Sequence, residues 1–201
     1  MHFNQFFGNQ SPFQIIVAIL AFGTALYTFY KSFIERAKLS LYPGDRLGLV
    51  ILAGGCWRFH LRASLVNHAV KTDTLHRLEA RITTPTGTNH LYLWHIFFEY
   101  VSGTLNVQPA GDATPVSIPG KNSKLLLTQF ELTPVAPTPV WSSGRYKVGG
   151  KGWVNRANRG QSSNLFTIFH FSLDAGQVQQ LLLGTSGQPI VINVPIEEWA
   201  A

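Results

Sequence analysis

Hydrophobic positions along this chain fall into two regimes: one unbroken run, then a long series of short alternations. The run is Phe13 to Tyr30, eighteen residues without a charge. Only mild polar residues interrupt it: Gln14, Gly23, Thr24 and Thr28. As a helix rising about 1.5 Å per residue it extends about 27 Å, close to the hydrocarbon thickness of a bilayer. Ser11-Pro12 is a fitting start, because a proline in the first helical turn gives up an N–H that has no partner there. Tyr27, Phe29, Tyr30 and Phe33 collect at the far end, where aromatic rings favour the headgroup layer. The pattern predicts a short tail over 1–12, a single transmembrane α-helix over 13–33 and a β-domain over 34–201.

The remainder alternates with period two. Trp57, Phe59, Leu61, Ala63 and Leu65 face one way, with Arg58, His60, Arg62 and Ser64 facing the other, as in a strand with one face in a core. Leu75 to Ile82 repeats the alternation. Leu91 to Val101 is apolar on both parities, which predicts a strand covered on both sides. Ala37 to Tyr42 and Leu47 to Ala53 read as two strands joined by a turn at Pro43-Gly44-Asp45. Leu125 to Leu132, Arg145 to Val154, Leu165 to Leu173 and Pro189 to Ile196 complete the set. One short helix is expected between the last two, with Asp174 as its cap, Val178, Leu181 and Leu182 as its apolar stripe, and Gly184 as its stop.

Glycine and proline, 18 and 11 in the chain, punctuate these runs. About eight or nine strands at such spacing predict an all-β, immunoglobulin-like sandwich. Val66-Asn67-His68-Ala69 and Ser143-Gly144-Arg145-Tyr146 resemble turns common in such sandwiches. Ser102 to Gly120 and Thr133 to Gly144 are proline-rich and predict loops without regular structure, the first unusually long.

Charge orients this picture. Lys31, Arg36 and Lys38 follow the apolar run against a single Glu35, and residues 1 to 12 hold no lysine or arginine. Basic flanks resist translocation, so the β-domain is expected in the cytoplasm. The missing basic leader and the bulky residues after the run argue against a cleaved signal peptide. Cys56 is the one cysteine, which excludes an internal disulfide, suits a reducing compartment and reads as a small apolar filler.

Of a formal net charge of +6, the densest concentration lies in 145–159. Arg145, Lys147, Lys151, Arg156 and Arg159 stand there without an acid, interleaved with Tyr146 and Trp153. Such a hairpin suits an anionic surface, and for a tethered chain lipid headgroups or an acidic protein are favoured over nucleic acid. The plain alternative is a solvated hairpin whose cations guard an edge strand.

Catalytic chemistry finds little footing. His60, His68 and His76 are eight residues apart, followed by His90 and His95, but no pair has the spacing of a helical zinc motif. Leu183-Gly184-Thr185-Ser186-Gly187 resembles a nucleophile elbow but lacks the Gly-x-Ser-x-Gly order. Gly149-Gly150-Lys151-Gly152 lacks the spacing of a phosphate loop. No catalytic residue, metal ligand or cofactor is nominated. The expected function is a membrane-anchored, non-enzymatic binding or scaffolding module, held to lipid by its helix and meeting a protein partner at the cytoplasmic face. An accessory subunit of a larger membrane complex is the alternative, with Gly23, Thr24 and Ala25 as a small-residue patch for helix packing. An enzyme with an unrecognised site is the third reading.

Overall fold

A computed structural model of the chain describes residues 11–31, 39–52, 57–100, 107–133, 139–154, 165–184 and 190–200. The apolar run forms helix α1, Pro12–Phe29. Ser11 caps it: its hydroxyl accepts the Gln14 N–H at 3.3 Å, and the Gln14 side chain accepts the Ser11 N–H at 3.1 Å. With a mean hydropathy of 1.7 and no buried residue, α1 is long and apolar enough to cross a membrane. Thr24 and Thr28 each donate at 2.8 Å to the carbonyl four residues earlier, which satisfies their hydroxyls inside the helix.

The rest is β-structure with one short helix. The strands are β1 (Leu39–Ile51), β2 (Trp57–Asn67), β3 (Asp73–Thr83), β4 (Asn89–Tyr100), β5 (Val107–Asp112), β6 (Val116–Ile118), β7 (Ser123–Leu132), β8 (Gly144–Val154), β9 (Leu165–Leu173), β10 (Ile190–Pro195) and β11 (Glu198–Ala200). Helix α2, Ala175–Leu183, lies between β9 and β10. All eleven strands belong to one sheet, in the order β10-β1-β2-β7-β4-β3-β8-β9-β11, with β5 added to β4 and β6 to β3. Its pairings are antiparallel. The β1 and β10 end of the sheet curls back against β9, so the sheet is nearly closed into a barrel.

The β class and the short helix match expectation, whereas the strands do not divide into the two facing sheets of an immunoglobulin-like sandwich. Irregular strands account for the curvature, since bulges bend a sheet and let it wrap a single core. The segment Pro43-Gly44-Asp45 is one of these and not a turn between two strands. Leu39 to Pro43 and Leu47 to Ile51 both pair with β2, and the register shifts between them. A Cβ on Gly44 would stand 3.0 Å from the Arg62 carbonyl, so the bulge holds its backbone against β2.

A second irregularity explains the apolar parities of β4. Tyr92 and Trp94 face the core, the register against β7 shifts between Trp94 and Ile96, and Phe97 then packs on the core. The strand changes parity midway; it is not covered on both sides. Part of the long proline-rich stretch is also regular. β3 and β4 pair only over Glu79–Thr83 and Asn89–Leu93, and where they part β5 continues alongside β4 and β6 alongside β3. Pro109 stands opposite Phe98 at a register shift of this pairing, the kind of irregular edge position that tolerates proline.

Inward positions of every long strand build one core. Phe59 stacks on Phe130 at 4.6 Å between ring centroids and meets Tyr92 edge-on at 5.1 Å. Trp57, Trp141, Tyr146 and Phe171 form a continuous row with centroids 5.0–5.4 Å apart. The Tyr146 hydroxyl donates to the Ser142 carbonyl at 2.7 Å and accepts the Ser142 N–H at 2.9 Å. This tyrosine corner pins the crossover from β7 to β8, in the stretch whose sequence suggested a sandwich turn. In α2, Asp174 and Gln177 form a capping box and Leu181 is buried, but Leu182 faces solvent and is not part of the stripe.

Candidate functional site

Of the basic cluster of 145–159, the structure places Arg145, Lys147 and Lys151 together on the outward face of β8. β8 lies between β3 and β9, inside the sheet, so its cations guard no edge. Strict alternation sends Tyr146, Val148, Gly150, Gly152 and Val154 inward and Arg145, Lys147, Gly149, Lys151 and Trp153 outward. Tyr146 is thus a core residue, not a surface aromatic. Arg145 is bound to Glu198 at 2.6 Å and Glu197 at 3.4 Å, both from the segment entering β11. Lys147 and Lys151 are exposed and have no ion-pair partner among the described residues. Arg156 and Arg159 lie outside the described residues.

The outward face of β3, β8 and β9 is therefore mixed. Register places Glu79 beside Lys151 and Lys151 beside Phe166, and Arg81 beside Gly149 and Gly149 beside Ile168. Glu79 pairs with Arg77, whose guanidinium also lies 4.9 Å from the centre of the Trp153 ring. Gly149 leaves a hollow of about 190 Å³ walled by Leu91, Phe166 and Ile168 and rimmed by Arg81, Lys151 and Glu79. With Arg145 neutralised and Glu79 engaged, this face retains Arg81, Lys147 and Lys151 as its unpaired cations.

A larger cleft, about 520 Å³, opens on the outward face of β1, β2, β7 and β10. His60 stands in it, outward as its parity predicts, yet covered. Phe98, carried over by the β4 bulge, lies 4.7 Å from its ring, and His60 Nε2 shares a 3.0 Å hydrogen bond with Gln129 Oε1. Burial lowers the His60 pKa from its ordinary value, which the Gln129 bond opposes and the nearby Arg58 guanidinium reinforces. Arg46, Arg62, Asp45 and Asn193 line the rim. Arg58 itself is held by Glu131 at 2.6 Å, and His95 meets the same carboxylate at 3.4 Å. Among the described residues, no three His, Cys, Asp or Glu side chains converge as a metal site.

A third concentration of charge has no linear signature. At the end of the barrel where β1 begins, Leu39 pairs with Asn67 and Val66 with Ser123, which brings the turns 68–72 and 119–122 together. Lys71, Lys121 and Lys124 gather there from stretches about fifty residues apart in the chain. Only strand order joins them, so inspection of the chain misses them. The opposite end carries the connections 84–88, 139–143 and 174–184, without a lysine or arginine and with Val140, Leu182 and Leu183 exposed. No protein-family model matches this chain, and no curated protein sequence matches it.

Proposed function

We propose that this chain is a membrane-tethered, non-enzymatic binding module, with α1 as the anchor and the β-domain presented to a protein partner at the cytoplasmic face. One observation carries the reading: the β-domain closes a core of its own, while α1 buries none of its residues. The core among β1 to β10 needs nothing from the helix, while Phe13, Ile16, Ile19, Leu20 and Phe22 are all more than half exposed. A two-sided apolar helix of this length is stable in hydrocarbon and not in water. The basic flank at Lys31, Arg36 and Lys38 supports a cytoplasmic β-domain. The far end, whose described connections hold no lysine or arginine and expose Val140, Leu182 and Leu183, suits a protein contact, since interface centres are depleted in charge. The Tyr146 corner supports an immunoglobulin-like relationship at the level of the β7 to β8 crossover.

The accessory-subunit reading keeps one specific observation. Ala21, Thr24, Ala25 and Thr28 line a shallow groove along α1, and their small side chains permit close approach of another helix. Fractionation separates these readings. The intact chain, with residues 12–29 detected by mass spectrometry, should remain with membranes after an alkaline carbonate wash. Protease should reach the β-domain in inside-out and not in right-side-out vesicles. Release by carbonate, or recovery of a chain that lacks residues 12–29, overturns the anchor; the reverse protease pattern overturns the orientation. A discrete large particle after gentle detergent extraction favours the subunit reading.

A further inference from the structure

The two turns where β1 begins form a single rigid platform. Asn67, only 1% exposed, binds both turns: its amide donates to the carbonyls of Lys71 at 2.7 Å and Ile118 at 3.0 Å, and its oxygen accepts the Ala69 N–H at 3.0 Å. The Lys121 N–H donates to the Ala69 carbonyl and the Asn67 N–H to the Asn122 carbonyl, at 2.8 and 2.9 Å. Gly120 fits because it has no side chain: a Cβ there would stand 1.7 Å from the Val70 carbonyl oxygen. What the platform displays is therefore preset. Val70 is 50% exposed at its tip, and Lys71, Lys121 and Lys124 are exposed around it. The acid within the two turns and their flanks, Asp73, is 1% exposed and turned away from solvent. On the adjoining strands, Glu99 accepts the Gln108 side chain at 3.0 Å and, with exposed Asp112, lines the same hollow as Lys124, so the three exposed lysines outnumber the exposed acids beside them.

We infer that this platform docks end-on against anionic lipid headgroups of the membrane that α1 enters. Chain connection selects the occupant. Seven residues lie between Lys31 and Leu39, so the platform end of the barrel is within about 30 Å of the helix end, while the chain reaches the opposite end only after the length of β1. Charge agrees with that order, cationic at the near end and without lysine or arginine in the described connections of the far end. An apolar tip ringed by lysines is the composition that the headgroup layer accepts. The inference rests on the anchor reading. It is a contact separate from the outward face of β8, where Arg145 is paired with Glu197 and Glu198. Each lysine brought near such a surface multiplies affinity about fivefold, so three give on the order of a hundredfold.

The test uses the full chain in nanodiscs of phosphatidylcholine with or without phosphatidylserine, and covalent amine labelling read by mass spectrometry. In acidic discs, labelling of Lys71, Lys121 and Lys124 should fall severalfold relative to Lys147 and Lys151. The protection should disappear in neutral discs and in about 1 M salt, where the Debye length shrinks to about 3 Å. Val70→Cys in a Cys56→Ser background, carrying a fluorophore, should be quenched by headgroup-level quenchers in acidic discs. The double substitution Lys71→Gln with Lys124→Gln, which leaves the Lys121 turn intact, should abolish that quenching. Equal labelling in both discs, protection of Lys147 and Lys151 instead, or equal protection by a short DNA duplex added to neutral discs would overturn the proposal. Co-elution of the chain with neutral discs reports on the anchor separately. A chain that does not co-elute overturns the anchor, and the same labelling ratio on acidic vesicles then decides the platform alone.

Discussion

Gly149 and Gly150 are neighbours in β8 under opposite constraints. A Cβ on Gly149 would meet nothing within 4 Å, whereas one on Gly150 would stand 2.6 Å from Thr167 Cγ2 in the core. Gly149→Ala should leave the fold intact and raise its stability by about 0.5 kcal/mol, the backbone entropy that glycine forfeits on folding. Gly150→Ala should lower stability by about 1–3 kcal/mol, because a buried β-branched side chain has little room to yield. Urea unfolding of the two variants measures the contrast. Asp73 offers a pH-dependent counterpart. One carboxylate oxygen accepts the Thr74 N–H at 2.8 Å and the other is buried without a partner, so burial raises its pKa above the ordinary carboxylate value. A raised carboxylate stabilises the fold only while protonated, and that contribution is lost as pH rises through the folded pKa. Asp73→Asn should therefore melt higher than the wild type at pH 7, with the gap closing as pH falls toward 4. At this scale the sequence was informative about parity and silent about partners. His60 and Arg145 face outward as their alternation predicts, yet Phe98 covers the one and Glu198 neutralises the other, and both come from strands distant in the chain.

Elements were legible wherever a run kept one period. The alternating runs of β2, β3, β8 and β9 match their strands within two residues, because a single buried face imposes period two. The readings that fail are those where a strand bends. Pro43 to Asp45 carries turn chemistry, but β2 pairs on both sides of it, so it became a bulge within β1. The two parities of β4 are one parity displaced by a bulge, and the prolines that suggested a loop at 102–120 sit beside short strands at the place where β3 and β4 separate. Long-range pairing overrode local chemistry in each case. The crossover from β7 to β8 is the element with a direct test. Tyr146→Phe keeps the ring stacked on Phe171 and Trp141 while removing both hydrogen bonds to Ser142. It should cost about 1–3 kcal/mol, or about 2–4 °C in Tm for each kcal/mol. A variant as stable as the wild type would show that the corner is maintained by ring packing alone.

For the whole molecule, the division into an apolar helix and a β-domain was legible because the two parts obey different periods, and closure of the sheet was not. Closure depends on β9 meeting β1, a contact between the two ends of the β-domain that no short window of the sequence contains. The same closure is why the platform lysines escaped notice while the linear cluster on β8 attracted it. It also gives the last prediction. Every inward residue of β1, β2, β7 and β8 packs on another strand, and α1 contributes none of the core. A chain starting at residue 39 therefore loses no core contact that the described residues make. It should be soluble, give a β-type circular dichroism spectrum and unfold in one cooperative transition with Tm within a few degrees of the full chain in detergent. The β1 strand would begin at its free end, where Leu39 and Leu41 are held by β2, so terminal fraying should stay within those first residues in hydrogen exchange. An aggregated or non-cooperative product would show that the barrel is completed by something outside this chain, and would move the reading from a self-sufficient binding module to a subunit that folds only within its complex.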